Sequence, residues 1–199
     1  AGGTGTGQTS QQAFSQRYGL DGEEMYHAGI FSSQLMVQYG RLNMNHAKVL
    51  NKGLEGVIAE IEEELKQIPI GTVEAYKKRN LLNAMIISLR AVIMFAARYA
   101  ALAREMAEKE ESPERRKELE RIAETCKWVP AKPARTFYEA VQSLWFTHLA
   151  GELEDTAGGR SPGRVALYMS PFYKKDKEEG KITEEEAIEL LELLFIKFG

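Results

Sequence analysis

Residues 73–110 read VEAYKKRNLLNAMIISLRAVIMFAARYAALAREMAEKE, and this stretch decides the fold class. No glycine occurs between Gly71 and Gly151, and no proline between Pro69 and Pro113. Nothing in the run therefore breaks a helix, because these two residues are the strong local breakers. Leu81, Leu82, Met85, Leu89, Ile93, Phe95 and Ala96 recur at threes and fours, which predicts one apolar helical face. Thr72 stands where an N-cap is needed. At about 1.5 Å per residue a helix over this span approaches 60 Å in length.

The flanking sequence reads the same way. Val49, Leu50, Leu54, Val57, Ile58, Ile61 and Leu65 share a face over Lys48–Gln67, and Pro69 and Gly71 close that helix. Ser112-Pro113-Glu114 supplies a cap, a proline in the first turn and a carboxylate at the positive end of a helix running to Lys127. Pro130 and Pro133 hold an extended connector, and a helix then runs from Thr136 to about Gly151. Thr183 and Glu186 form a capping box for a last helix through Leu190, Leu191, Leu194 and Phe195. Upstream, Met25, Ile30, Leu35, Met36 and Tyr39 predict a helix from Gly22 to a stop at Gly40, preceded by a flexible lead at residues 1–21. Residues 155–163 are glycine-rich and irregular. Val165–Met169 is the sole strand-like stretch. The expected fold is mainly α, a single domain of six or seven helices.

Composition narrows the function. Lys and Arg total 26 against 29 Asp and Glu, without a basic run carrying aromatics, so no nucleic-acid partner is expected. The longest apolar run, Ala91–Met106, is cut by Arg98 and Arg104, so no membrane helix is expected. No secretory signal is visible at the start, and a cytoplasmic protein is the default expectation. The chain opens on Ala1 and is expected to be a piece of a longer protein.

Candidate chemistry is sparse when read from residue types alone. The Gly/Thr run at 1–11 fits neither spacing of the phosphate-binding loops. Glu24 and His27 form one Glu-x-x-His pair, but a carboxylate-bridged di-metal bundle needs two such pairs and two further glutamates. His46 and His148 lack a carboxylate three residues before them, and His148 with Glu152 offers only two ligands. No metal is expected. Cys126 lies near a helix C-terminus, where a thiolate is disfavoured, and is read as buried and inert. The irregular stretch Asp155–Arg164 follows an aromatic helix bearing Trp145, Phe146 and His148, and unsupported loops of this kind often line sites.

The order of residues carries more than their periodicity. Residues 122–146, IAETCKWVPAKPARTFYEAVQSLWF, closely resemble a signature segment of the glycyl radical enzymes, the pyruvate formate-lyase-like proteins. A second block follows at the expected distance: Ser161-Pro162-Gly163-Arg164, Tyr168, Pro171-Phe172-Tyr173 and Asp176. A third precedes them at residues 49–58, VLNKGLEGVI. The similarity spans roughly residues 40–198 in the right order.

The resemblance implies carbon-radical chemistry on a small metabolite, as in the C–C, C–O, C–N or C–S lyases and decarboxylases of anaerobic metabolism. A glycyl radical, installed by a separate activating enzyme with S-adenosylmethionine and an iron–sulfur cluster, oxidises a loop cysteine inside a ten-stranded α/β barrel. No cofactor is bound otherwise. Cys126 corresponds to the cysteine before the Val-Pro motif, which is not the radical cysteine, and Gly199 lacks the radical-loop context. No catalytic residue is therefore expected in this chain, which resembles the N-terminal helical segment of the larger enzyme. Its implied partners are the remainder of the polypeptide, the activating enzyme, a small-molecule substrate and a second subunit.

Where many members of the family read Gly-His and then Asp-Tyr or Asp-Phe, this chain has Gly40-Arg41 and then Asn45-His46. The first position belongs to the substrate cavity in polyol dehydratases, and arginine there implies an anionic substrate. Arg41, Asn45 and Ser161 are the expected substrate-binding residues, the first two sharing a face if the segment is helical. Ala166, Leu167 and Ser170 replace the family's usual Asp-Gln and a tyrosine. The alternative expectation is a stand-alone helical binding module on the same scaffold.

Overall fold

The computed structural model describes residues 19, 43–69, 71–154 and 161–198, and these contain six helices and no strand. They are α1 His46–Gln67, α2 Val73–Lys109, α3 Pro113–Trp128, α4 Phe137–Glu154, α5 Val165–Glu178 and α6 Glu184–Phe198. The expected helix from Gly22 to Gly40 and the Gly/Thr run at 1–11 lie outside the described residues.

The long helix forms as expected. Thr72 Oγ1 accepts the Ala75 amide at 3.1 Å, and α2 then runs for 37 residues. Its buried line differs from the expected one. Leu82 and Ala96 are buried, but Leu81 and Met85 are 62% and 42% exposed. The buried positions are Ala75, Leu82, Ile86, Ala96, Ala100, Ala103 and Ala107. The first half packs on Ile58, Ile61 and Ile68, while the alanines of the second half let α3 approach closely beside Ala123 and Cys126. Apolar counting fails here because α2 is apolar on two faces, and Ile87, Met94 and Leu102 remain exposed on the outer one. Arg98 and Arg104 interrupt the apolar run, yet by length and composition alone α2 is long and apolar enough to cross a membrane.

Two motif blocks meet at a break in α1. Gly53 takes φ 68° and ψ 166°, outside the helical region and in a region that L side chains rarely adopt. The break exposes main-chain groups that the 130–134 connector satisfies. Leu54 N–H donates to the Pro130 carbonyl at 2.8 Å and Glu55 N–H to the Ala131 carbonyl at 2.9 Å. Ala134 N–H returns to the Leu50 carbonyl at 2.9 Å. The connector is itself braced, since Trp128 Nε1 donates to the Pro133 carbonyl at 2.7 Å and the Arg135 guanidinium lies 3.9 Å over the indole.

The connector delivers the start of α4. Thr136 Oγ1 accepts the Glu139 amide at 3.2 Å, and the buried Asp176 of α5 accepts the Phe137 amide at 2.6 Å. A carboxylate at a helix N-terminus meets both unpaired amides and the positive end of the dipole. Leu50, Phe137, Leu144, Met169, Ile182 and Leu194 then form one core shared by α1, α4, α5 and α6. The capping box of α6 is present, with Thr183 N–H on Glu186 Oε2 at 2.8 Å and Glu186 N–H on Thr183 Oγ1 at 3.1 Å.

Val165–Met169, strand-like in sequence, is the first part of α5. Val165, Tyr168, Met169 and Phe172 fall at helical spacing and pack on the shared core, so burial selects the helix over the local preference of Val165.

A Cβ on Gly53 would lie 2.4 Å from the Ala131 carbonyl oxygen. Gly53→Ala is expected to cost about 3 kcal/mol or more in urea unfolding, from strain and overlap together. Gly56 lies inside α1 with Lys52 Cβ at 3.2 Å as the near neighbour of an added Cβ, and Gly56→Ala is expected to stay within about 1 kcal/mol of the parent.

Candidate functional site at the Ser161–Gly163 turn

The start of α1 is set by Asn45, whose Oδ1 accepts the Lys48 amide at 3.1 Å. Residues 43–45 are not helical, so the helical spacing that would align Arg41 with Asn45 does not extend through them. Arg41 lies outside the described residues. Asn45 is exposed, and with Oδ1 spent on the cap its Nδ2 group is left to donate outward.

Ser161 sits in a tight turn. Its Oγ accepts the Gly163 amide at 3.1 Å, and Gly163 takes φ 71° before α5 begins. With Oγ serving the backbone as acceptor, the exposed hydroxyl keeps its proton to donate. Asn45 and Ser161 thus each accept one main-chain amide and keep a donor that an anion could use.

The structure brings these two segments together through a residue that the sequence did not single out. A Cβ on Gly163 would lie 2.6 Å from Asn43 Nδ2, so the Asn43 amide rests directly on the glycine. The glycine of the Ser-Pro-Gly run was the available signal, since a glycine with positive φ also permits close approach.

Behind the turn lies a buried polar cluster. Thr147 Oγ1 contacts the Ser143 and Leu144 carbonyls, both at 3.0 Å, and His46 Nδ1 at 3.0 Å. The hydroxyl has one proton and gives it to the helix carbonyls, so Nδ1–H of His46 is the donor to Thr147. His46 Nε2 then carries the bare lone pair, buried and without a hydrogen-bond partner among the described residues. Tyr168 stacks at 5.9 Å from the His46 ring and His148 at 6.5 Å, with His148 Nε2 3.7 Å from Glu152. A cavity of about 610 Å³ opens beside this cluster, with Asn45, His46, Phe95 and Thr147 on its wall. Ser161 does not line it.

Cys126 is buried, and burial pushes its thiol up to about 11, which agrees with an inert role. No group of three or more metal-ligating side chains occurs among the described residues, while the Glu24–His27 pair lies outside them.

Burial first, and the neighbouring His148 second, lower the His46 pKa from 6.5 to about 4. The unfolded chain therefore takes up a proton below about pH 6.5 that the folded chain refuses until about pH 4. This contribution is fully present above pH 6.5 and is lost as the pH falls towards 4. Its ceiling is about 3 kcal/mol. Urea unfolding between pH 7.5 and 4.5 should show this acid limb, and His46→Phe should flatten it.

Comparison with known proteins agrees with this arrangement of motifs. The family model described as pyruvate formate lyase-like matches residues 6–199. Isethionate sulfite-lyase of Oleidesulfovibrio alaskensis is 46% identical over 154 residues, covering 76% of this chain and 19% of the relative. The (2S)-3-sulfopropanediol dehydratase of Klebsiella oxytoca is 34% identical over 80% of this chain and 19% of its own length. A solved structure concerned with 1,2-propanediol dehydration in Roseburia inulinivorans superposes with a TM-score of 0.77 at 41% identity, covering 79% of this chain and 20% of that one. The chain thus spans about a fifth of the length of these relatives. It belongs to the pyruvate formate lyase-like family of glycyl radical enzymes.

Proposed function

We propose that the chain is the N-terminal helical part of a cytoplasmic glycyl radical lyase or dehydratase of anaerobic metabolism, acting on a small anionic metabolite. The observation that carries this reading is the family match over residues 6–199, together with a relative at 46% identity whose substrate, isethionate, is a sulfonate. The Asn45 amide and the Ser161 hydroxyl each keep a donor, which supports the anionic class. Arg41 is proposed as the anion anchor, since its guanidinium suits the paired oxygens of a sulfonate or carboxylate.

In this reading the thiyl cysteine and radical glycine belong to the rest of the polypeptide, with the radical installed by an S-adenosylmethionine-dependent activating enzyme. This chain's residues bind and orient the substrate and help exclude water, as a radical site requires. The outer face of α2, with Ile87, Met94 and Leu102 exposed, is covered by the remainder of the same polypeptide rather than by lipid, and the complete enzyme is a homodimer.

Anaerobic turnover assays on the complete activated enzyme test the proposal. Isethionate or a related small sulfonate or carboxylate is expected to be consumed in preference to 1,2-propanediol. Arg41→Lys should lower kcat/KM for the anion about tenfold or more, because a point charge replaces a bidentate fork. Preference for the uncharged diol, or unchanged kinetics in the variant, would refute the anionic reading.

A further inference from the structure

The Ser161–Gly163 turn has one long-reach polar tie to the helical body among the described residues, and it comes from Tyr168. The phenol donates to the Pro162 carbonyl at 2.6 Å, at the centre of the turn. The turn's other hydrogen bonds among the described residues are local: Gly163 N–H to Ser161 Oγ at 3.1 Å, and Val165 N–H to the Gly163 carbonyl at 3.0 Å. Such local bonds shape a turn but do not fix where it sits.

Tyr168 itself is held on three sides. It belongs to α5, whose Asp176 is bound to the α4 N-terminus, so the helix carrying it is tied to the core at its other end. Its ring lies 5.9 Å from that of His46 and packs against the core of α4 and α6. Burial pushes the phenol up to about 12, so it remains a neutral donor throughout the working pH range. His46 is in turn fixed by Thr147 of α4 at 3.0 Å.

We propose that Tyr168 is a positioning residue that sets the place of the Ser161 hydroxyl through the Pro162 carbonyl. The proposal rests on the reading above that Ser161 meets the substrate. Its specific content is that the phenolic hydroxyl acts on substrate binding only through Ser161.

The test uses the complete activated enzyme with three variants: Ser161→Ala, Tyr168→Phe and the double variant. Ser161→Ala is expected to raise KM about fivefold, the worth of one ordinary hydrogen bond. Tyr168→Phe keeps the ring and removes only the hydroxyl. It is expected to raise KM by a similar factor, to leave kcat within about twofold, and to add nothing on the Ser161→Ala background. Hydrogen exchange at the Gly163 amide should accelerate in Tyr168→Phe, while the interior amides of α5 keep their parent rates. A KM effect that adds in full to that of Ser161→Ala, or an unchanged Gly163 exchange rate, would overturn the proposal. If Ser161→Ala leaves KM unchanged, the substrate-facing reading of the turn falls. The Gly163 exchange rate in Tyr168→Phe then decides by itself whether the phenol anchors the turn.

Discussion

Three main-chain hydrogen bonds join the break at Gly53 to the connector at 130–134, and the placement of α4, α5 and the Ser161 turn follows from them. An interrupted helix leaves amides and carbonyls that must find partners or lose about 1–3 kcal/mol for each one buried unpaired. Leu50, Leu54 and Glu55 find theirs on Ala134, Pro130 and Ala131. Only glycine fits, because the connector backbone occupies the space a side chain would need. Once the connector is docked, Thr136 and Phe137 start α4 in a defined place, and the Asp176 carboxylate can reach the Phe137 amide from α5. The first turn of α5 then stands beside α1, which puts Gly163 against Asn43.

Two polar side chains near that junction cap main-chain amides. Asn45 and Ser161 each give an oxygen to a neighbouring backbone amide and keep their donors. Beneath the junction, His46 is held uncharged by burial and donates to Thr147, whose proton is committed to helix carbonyls. Glu152 lies 3.7 Å from His148 Nε2 at the edge of the cluster.

Most of the helical framework was legible in the sequence, and the parts that were not have identifiable causes. Thr72, Ser112 and Thr183 announced their helices because capping chemistry is local. The buried face of α2 was only half legible, since a helix apolar on both sides gives no periodic contrast to read. The helical state of Val165–Met169 depends on packing against Phe137 and Leu144, which lie more than twenty residues away and leave no trace at the segment itself. Among the candidate residues, Asn45 and Ser161 could be named from motif blocks, but their roles as backbone acceptors could not. Asn43 and Thr147 escaped because each acts through a partner distant in sequence, Gly163 and His46 respectively.

We propose that these helices serve a radical enzyme whose reactive loops belong to the rest of the polypeptide. Electron paramagnetic resonance tests it most directly, on the complete protein and on the 199-residue chain treated alike with an activating enzyme and S-adenosylmethionine without oxygen. A glycyl doublet is expected in the complete protein and none in the shorter chain. No signal in the complete protein, or a doublet localised to these residues, would contradict it.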